Sequence, residues 1–176
     1  KSTAIGDSAL KTQNPATAVD MFNVAIGNNA GLNVTTGIQN TLIGGEAGDA
    51  LTLGADNVAI GMNALGSDTL GSDSTAVGQG ALFTQNFTTA VGRHAGLLVT
   101  TGVENTLIGG LAGDSLTTGS QNVALGYLAL SSDDLGSDSV AIGKGALENQ
   151  NYTTATNSYN TAVGRKTLFT NTTGAD

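Results

Sequence analysis

The chain of 176 residues has no cysteine and no tryptophan, and only one proline and one histidine. Without cysteine it has neither disulfides nor thiolate metal sites, which suits a cytosolic protein or a secreted one that needs no staples. Aromatic residues make up 4% and charged residues 11%, so the apolar material is mostly Ala, Val, Ile and Leu, accompanied by 26 glycines. Small residues at this density suit stacked β-coils better than a core of large interlocking side chains. The glycines follow no Gly-X-Y period, which excludes collagen. No apolar run is long enough to insert into a membrane, and no signal peptide is recognisable. Six basic residues are scattered among 14 acidic ones, for a net charge of −8. Nucleic acid is thereby excluded as a partner, because a phosphate-binding face needs clustered Lys and Arg. The spread charge reads as a soluble, self-repelling surface.

What the chain does have is a repeat. One word recurs ten times: a small polar residue, then Val or Thr, then Ala or Leu, then Ile, Val or Leu, then Gly. Its anchors are Gly6, Gly27, Gly44, Gly61, Gly78, Gly92, Gly109, Gly126, Gly143 and Gly164, at spacings of 14, 17 or 21 residues. A 14-residue coil with loops of variable length explains every spacing, so residues 1–176 read as one β-solenoid repeat domain. Four residues before each anchor stands Asn, Ser or Thr. Three after it stands Ala in nine units and Thr167 in the tenth, followed by Leu or Gly. Residues 27–86 match residues 92–151 at 40 of 60 positions, so four coil types cycle along the chain. No atypical capping coil appears at either end, although solenoids need caps. The sequence therefore reads as a processed or excised piece. The native array is expected to continue, in a longer polypeptide or by head-to-tail stacking.

Each word is a short strand ended by glycine. Residues one and three before the anchor, such as Val58 and Ile60, share a face that is expected to form the core. Residues two and four before it, such as Asn57 and Ala59, share the other. That face is also largely apolar and calls for a partner, most simply a second copy of the chain. Two strands of about five residues plus two turns would make a flattened tube. Ten coils at roughly 4.8 Å per rung give a rod on the order of 50 Å. So slim a tube is expected to be marginal alone, which again favours a homo-oligomer. The Asn/Ser/Thr column is expected to form a hydrogen-bonded ladder or to close a turn on the backbone.

The word Asn23-Val24-Ala25-Ile26-Gly27-Asn28-Asn29-Ala30 and its counterpart Ser139-Val140-Ala141-Ile142-Gly143-Lys144-Gly145-Ala146 resemble the heads of trimeric autotransporter adhesins. That resemblance implies an all-β, left-handed parallel β-roll, three chains side by side, and adhesion to surfaces or matrix proteins. The 17-residue spacings, and Asn160-Thr161-Ala162-Val163-Gly164 with the segment after it, are similar to bacteriophage tail-fibre repeats. The 17- and 21-residue coils are longer than the standard adhesin coil.

Catalytic and binding signals are sparse. His94 lies in the freely varying pair after Gly92, with no orienting groups specified around it, and reads as a turn residue. The acidic words at 67–74 and 132–139 occupy the same loop in both copies. Asp68, Asp73, Asp133 and Asp138 are therefore the Ca²⁺ candidates, as oxygen-rich turns can bind Ca²⁺, although Asp and Ser also simply make turns. A Thr column raises an ice-binding alternative, weakened by its irregular alternation with Val and by its expected core position. Phe22, Tyr152 and Tyr159 in the two long coils are the candidates for partner contact, as aromatics on protruding loops. No enzyme activity, catalytic residue or organic cofactor is implied. The expectation is an extracellular structural segment, a homotrimeric rod on a cell surface. A virion tail fibre recognising a host surface glycan is the alternative, and an ice-binding solenoid the minor one.

Overall fold

A computed structural model describes residues 1–15, 20–83 and 87–174. They form an all-β parallel solenoid with no helix. Ten three-residue strands follow the chain: β1 (Thr3–Ile5), β2 (Val24–Ile26), β3 (Thr41–Ile43), β4 (Val58–Ile60), β5 (Thr75–Val77), β6 (Thr89–Val91), β7 (Thr106–Ile108), β8 (Val123–Leu125), β10 (Val140–Ile142) and β12 (Thr161–Val163). They make one ten-stranded sheet in sequence order, so nine turns separate the first strand from the last. Two-residue strands β9 (Gly136–Ser137) and β11 (Thr156–Asn157) pair only with each other. The expected second wall of five-residue strands is thus replaced, over most of the rod, by stacked turns.

The register never changes. Val58, Ala59 and Ile60 lie opposite Thr75, Ala76 and Val77, and the same holds across the long coil, where Val140 lies opposite Thr161. The three or seven extra residues of the longer coils are therefore absorbed away from the sheet. The anchor glycines set the corner after each strand. All ten have φ between +123° and +141°, and a Cβ on Gly61 would sit 2.5 Å from the carbonyl oxygen of Gly78. Both the backbone conformation and the contact with the next coil exclude a side chain.

The remaining corners are turned by residues in the left-handed region. Three positions per coil adopt it: five before the anchor, two after and four after. Twenty-three non-glycine residues among those described have positive φ, and none is Val, Ile or Thr, whose branched Cβ fits that region worst. This explains why the position four after the anchor is Leu or Gly and never Ile or Val. The conformation is held by bonds between rungs. Asn63 donates its backbone N–H to Gly45 O at 3.0 Å, and Leu128 donates to Gly110 O at 3.1 Å.

The inside and outside of the sheet are the reverse of the sequence expectation. Asn57 and Ala59 are fully buried, whereas Ile60 is 37% exposed and Val58 only half-buried. The asparagine decides this. Asn57 donates Nδ2–H to Gly71 O inside its own coil at 2.7 Å, and its Oδ1 accepts the backbone N–H of Ser74 on the next rung at 3.1 Å. An amide that must reach interior carbonyls fixes its own face inward, and alternation then sends Val58 and Ile60 outward. The ladder repeats at Asn40, whose backbone N–H donates to Asn23 Oδ1 at 2.9 Å, and at Asn122, which donates likewise to Asn105 Oδ1 at 2.9 Å.

The narrow interior is filled by exchange of volume. Most strands point Ala inward, but β3 and β7 point Leu42 and Leu107. The turns beside them carry glycine where other coils carry leucine. A Cβ on Gly31 or Gly48 would lie 2.7 Å from a methyl of Leu42, and one on Gly96 or Gly113 2.8 Å from a methyl of Leu107.

Candidate functional site

The outer face of the sheet carries two columns. The residue three before each anchor runs Thr3, Val24, Thr41, Val58, Thr75, Thr89, Thr106, Val123, Val140, Thr161, and the residue one before it is Ile, Val or Leu throughout. No charged residue occurs in either column. Thr3, Ile5, Ile26, Ile60, Ile108, Thr161 and Val163 are exposed and the rest half-buried. At ten rungs of about 4.8 Å and three residues of about 3.3 Å, the strip is on the order of 50 by 10 Å. The Thr/Val column thus faces outward and not into the core expected for it, which removes one objection to the ice-binding alternative.

The corner just before the strands forms another row. Five residues before the successive anchors stand Lys1, Phe22, Gln39, Asp56, Asp73, Phe87, Glu104, Gln121, Asp138 and Tyr159. From Phe22 onward all have φ between +51° and +60°, so the backbone presents every side chain in the same way. Adjacent rungs touch: Gln121 Nε2 donates to Glu104 Oε2 at 3.0 Å. Phe22, Phe87 and Tyr159 are 56%, 57% and 59% exposed and recur every fourth rung. Phe22 also borders a shallow depression at the β1 edge with Lys1, Ser2, Thr3, Asn23 and Val24. Phe87 was missed in the sequence, although the 65-residue repeat puts it in register with Phe22.

Tyr152 does not belong with these exposed aromatics. It is 5% exposed, and its hydroxyl donates to Gly174 O at 2.6 Å and accepts from Asn160 Nδ2 at 3.1 Å. Burial raises its pKa, opposed by hydrogen bonds from Asn160 and Ser158, while the Asp133 charge adds to the rise. Around it the last long coil encloses a polar network. Gln150 donates to Asp133 Oδ2 at 2.6 Å and to Ser139 Oγ at 2.9 Å, and its Oε1 accepts from Asn160 at 2.7 Å. Ser139 and Ser158 share a short hydroxyl contact. Gln150, Ser139 and Ser158 are fully buried within it.

The acidic candidates separate into two kinds. Asp68 and Asp133 turn inward. Asp68 Oδ1 accepts from the backbone N–H of Gly71 at 2.7 Å and of Leu70 at 3.2 Å, and Asp133 Oδ1 accepts from that of Gly136 at 3.0 Å. They close turns. Asp73 and Asp138 stand outside in the corner row. The pKa of Asp133 is raised by desolvation, against the hydrogen bonds of Gln150 and the backbone, which lower it. Burial also raises Asp49, helped by Glu46, and Asp114, opposed by its own backbone and by His94. Asp114 Oδ1 and Asp134 Oδ1 are buried without a hydrogen-bond partner. Among the described residues no group of three His, Cys, Asp or Glu side chains could hold a metal ion. His94 occupies a left-handed turn, half-buried, as a backbone donor to Gln79 O.

No protein-family model, no curated protein and no solved structure matches this chain. The adhesin and tail-fibre likeness therefore rests on the repeat words, while the parallel solenoid rests on the strand pairing itself.

Proposed function

We propose that this chain is a structural segment of an extracellular fibre or adhesin. In this reading three copies form a rigid homotrimeric rod of the left-handed β-roll type, with their Ile/Val strips meeting along a common axis. The turns remain outward for attachment to a surface glycan or matrix protein, on a cell surface or a virion tail. The rod is mechanical and has no catalytic role.

The observation that carries this reading is the uncharged strip on the sheet. Its area, on the order of 500 Å², lies at the upper end of what a monomer leaves exposed and is often functional at that size. It contains no carboxylate or ammonium to desolvate, as befits the centre of an interface. It is built from strands locked in register, so docking costs little ordering entropy. A tube this thin also gains most from shared burial. Three-fold association follows the resemblance to trimeric adhesin heads.

A specific observation favours a second reading. The outward Thr/Val column sits on a sheet of constant register, and a regular outward array is what an ice-binding surface requires. The two readings part on one measurement: native mass by light scattering, with electron micrographs of the same sample. Three times 17.4 kDa, falling to one in the double variant Ile60→Asp/Ile108→Asp, is the expected result. A dispersed wild-type monomer would sink the trimer, and freezing hysteresis in that monomer would establish the ice-binding reading.

A further inference from the structure

We infer that the corner row beside the sheet is a binding track for an extended, neutral or amino-sugar polysaccharide. The row sets a carboxylate directly before two of its three rings, at Asp73–Phe87 and Asp138–Tyr159, with Glu104 following Phe87, while Phe22 stands between Lys1 and Gln39. Two side-chain chemistries that seldom share one exposed column are interleaved here. Flat rings offer stacking faces to the C–H surface of a pyranose, and carboxylates accept hydrogen bonds from its hydroxyls.

Three features favour a sugar polymer over other occupants. First, the rings are turned to water, and Asn157 Nδ2 donates to the Tyr159 hydroxyl at 3.1 Å. Phe22, Phe87 and Tyr159 each leave more than half of their surface to water, in a left-handed conformation that bulky residues rarely adopt. Second, the spacing suits an extended chain. Equivalent rings recur every four rungs, about 19 Å, a separation that a few residues of a straight glycan span, so one chain can reach more than one ring. Third, the charge selects. From Phe22 to Tyr159 the row contains four carboxylates and no cation, and Asp73 and Asp138 make no ion pair among the described residues. That disfavours uronate or sulfated polymers and anionic lipid. Carboxylates facing hydroxyl or ammonium groups incur no such repulsion.

This inference rests on the attachment side of the proposed rod; the row lies at the corner that borders the outer strip, where Phe22 shares a depression with Thr3 and Val24, so native mass is read beside binding. The test is affinity electrophoresis of the full chain in gels containing hydroxyethylcellulose, chitosan or polygalacturonate. The triple variant Phe22→Ala/Phe87→Ala/Tyr159→Ala runs alongside, and light scattering is done on both proteins. Retardation by one of the first two polymers is expected, but not by polygalacturonate, with binding weakened roughly tenfold or more in the variant, as for truncated aromatic anchors. Asp73→Asn/Asp138→Asn should weaken chitosan binding most. Retardation only by polygalacturonate, no retardation by any polymer, or equal retardation of wild type and triple variant would overturn the track. A triple variant that changes native mass would reassign the rings to contacts between copies, and that also overturns it. A failed track with an intact trimer leaves the rod reading standing, and the reverse outcome leaves the track standing.

Discussion

The coils around Leu42 and the two coils from Gly126 to Gly164 bury the same positions of one repeat, yet fill them with opposite chemistry. Seven residues after the anchor stand Val34 and Leu51 in the first region, but Asp133 and Gln150 in the second. The first interior is held by volume. Leu42 occupies the space that Gly31 and Gly48 leave empty, so the fit is shared between two adjacent coils. The second is held by direction. Gln150 bonds to Asp133, Ser139 and Asn160 at once, so each group is satisfied only while the others keep their places. A solenoid can therefore change the content of a coil from oil to amide without altering its sheet, provided the register of the strands and the Asn ladder continue past it.

The comparison breaks most visibly at Leu42. Leu42→Ala should cost about 2–5 kcal/mol in urea unfolding, because the glycines beside it cannot expand into the cavity. Adding Gly31→Leu should recover part of that loss, since leucine at this turn beside inward alanine is the arrangement of the neighbouring coils. A double variant no better than Leu42→Ala would mean that volume exchange is not what pairs these positions. In the polar coil, Gln150→Ala should cost about 1–3 kcal/mol, as the Asp133 carboxylate and the Asn160 amide lose a partner without water to replace it. Gln150→Leu should be no milder, whereas apolar replacement is harmless at Val34. Equal tolerance at both sites would erase the distinction between the two interiors.

The smallest effect is a pH dependence confined to the polar coil and two half-buried turn carboxylates. Desolvation holds Asp133 above its ordinary value of 3.8. Between that value and the raised one the folded chain binds more protons than the unfolded chain, so stability falls as pH rises through the interval. The gain is complete below the ordinary value and absent above the raised one. Asp49 and Asp114 act in the same direction. Thermal melts across mildly acidic pH should show this slope, flattened in Asp133→Asn. A slope of the opposite sign would mean that hydrogen bonding to the carboxylate outweighs its burial.

Periodicity alone located every strand of the sheet, its glycine corners and its polar ladder, because these are written once per coil in residues with few conformational choices. Gly61 must be glycine for its φ and for its contact with Gly78, and Asn57 recurs because one amide serves two rungs. Which side of the strand is inside was not legible. Val58 and Ile60 are the more hydrophobic pair, but hydrophobicity ranks faces only when one of them meets water, and here both carry apolar side chains. The width of the coil and the reach of the Asn57 amide made the choice. Tyr152 and Tyr159 posed the same difficulty. Both lie in one long loop with similar neighbours, and only the path of that loop over the last coil buries the first and leaves the second in the corner row. The sequence by itself determined the rung, since each rung is a local backbone motif. Tertiary structure decided the faces, since a face is defined by what lies across from it.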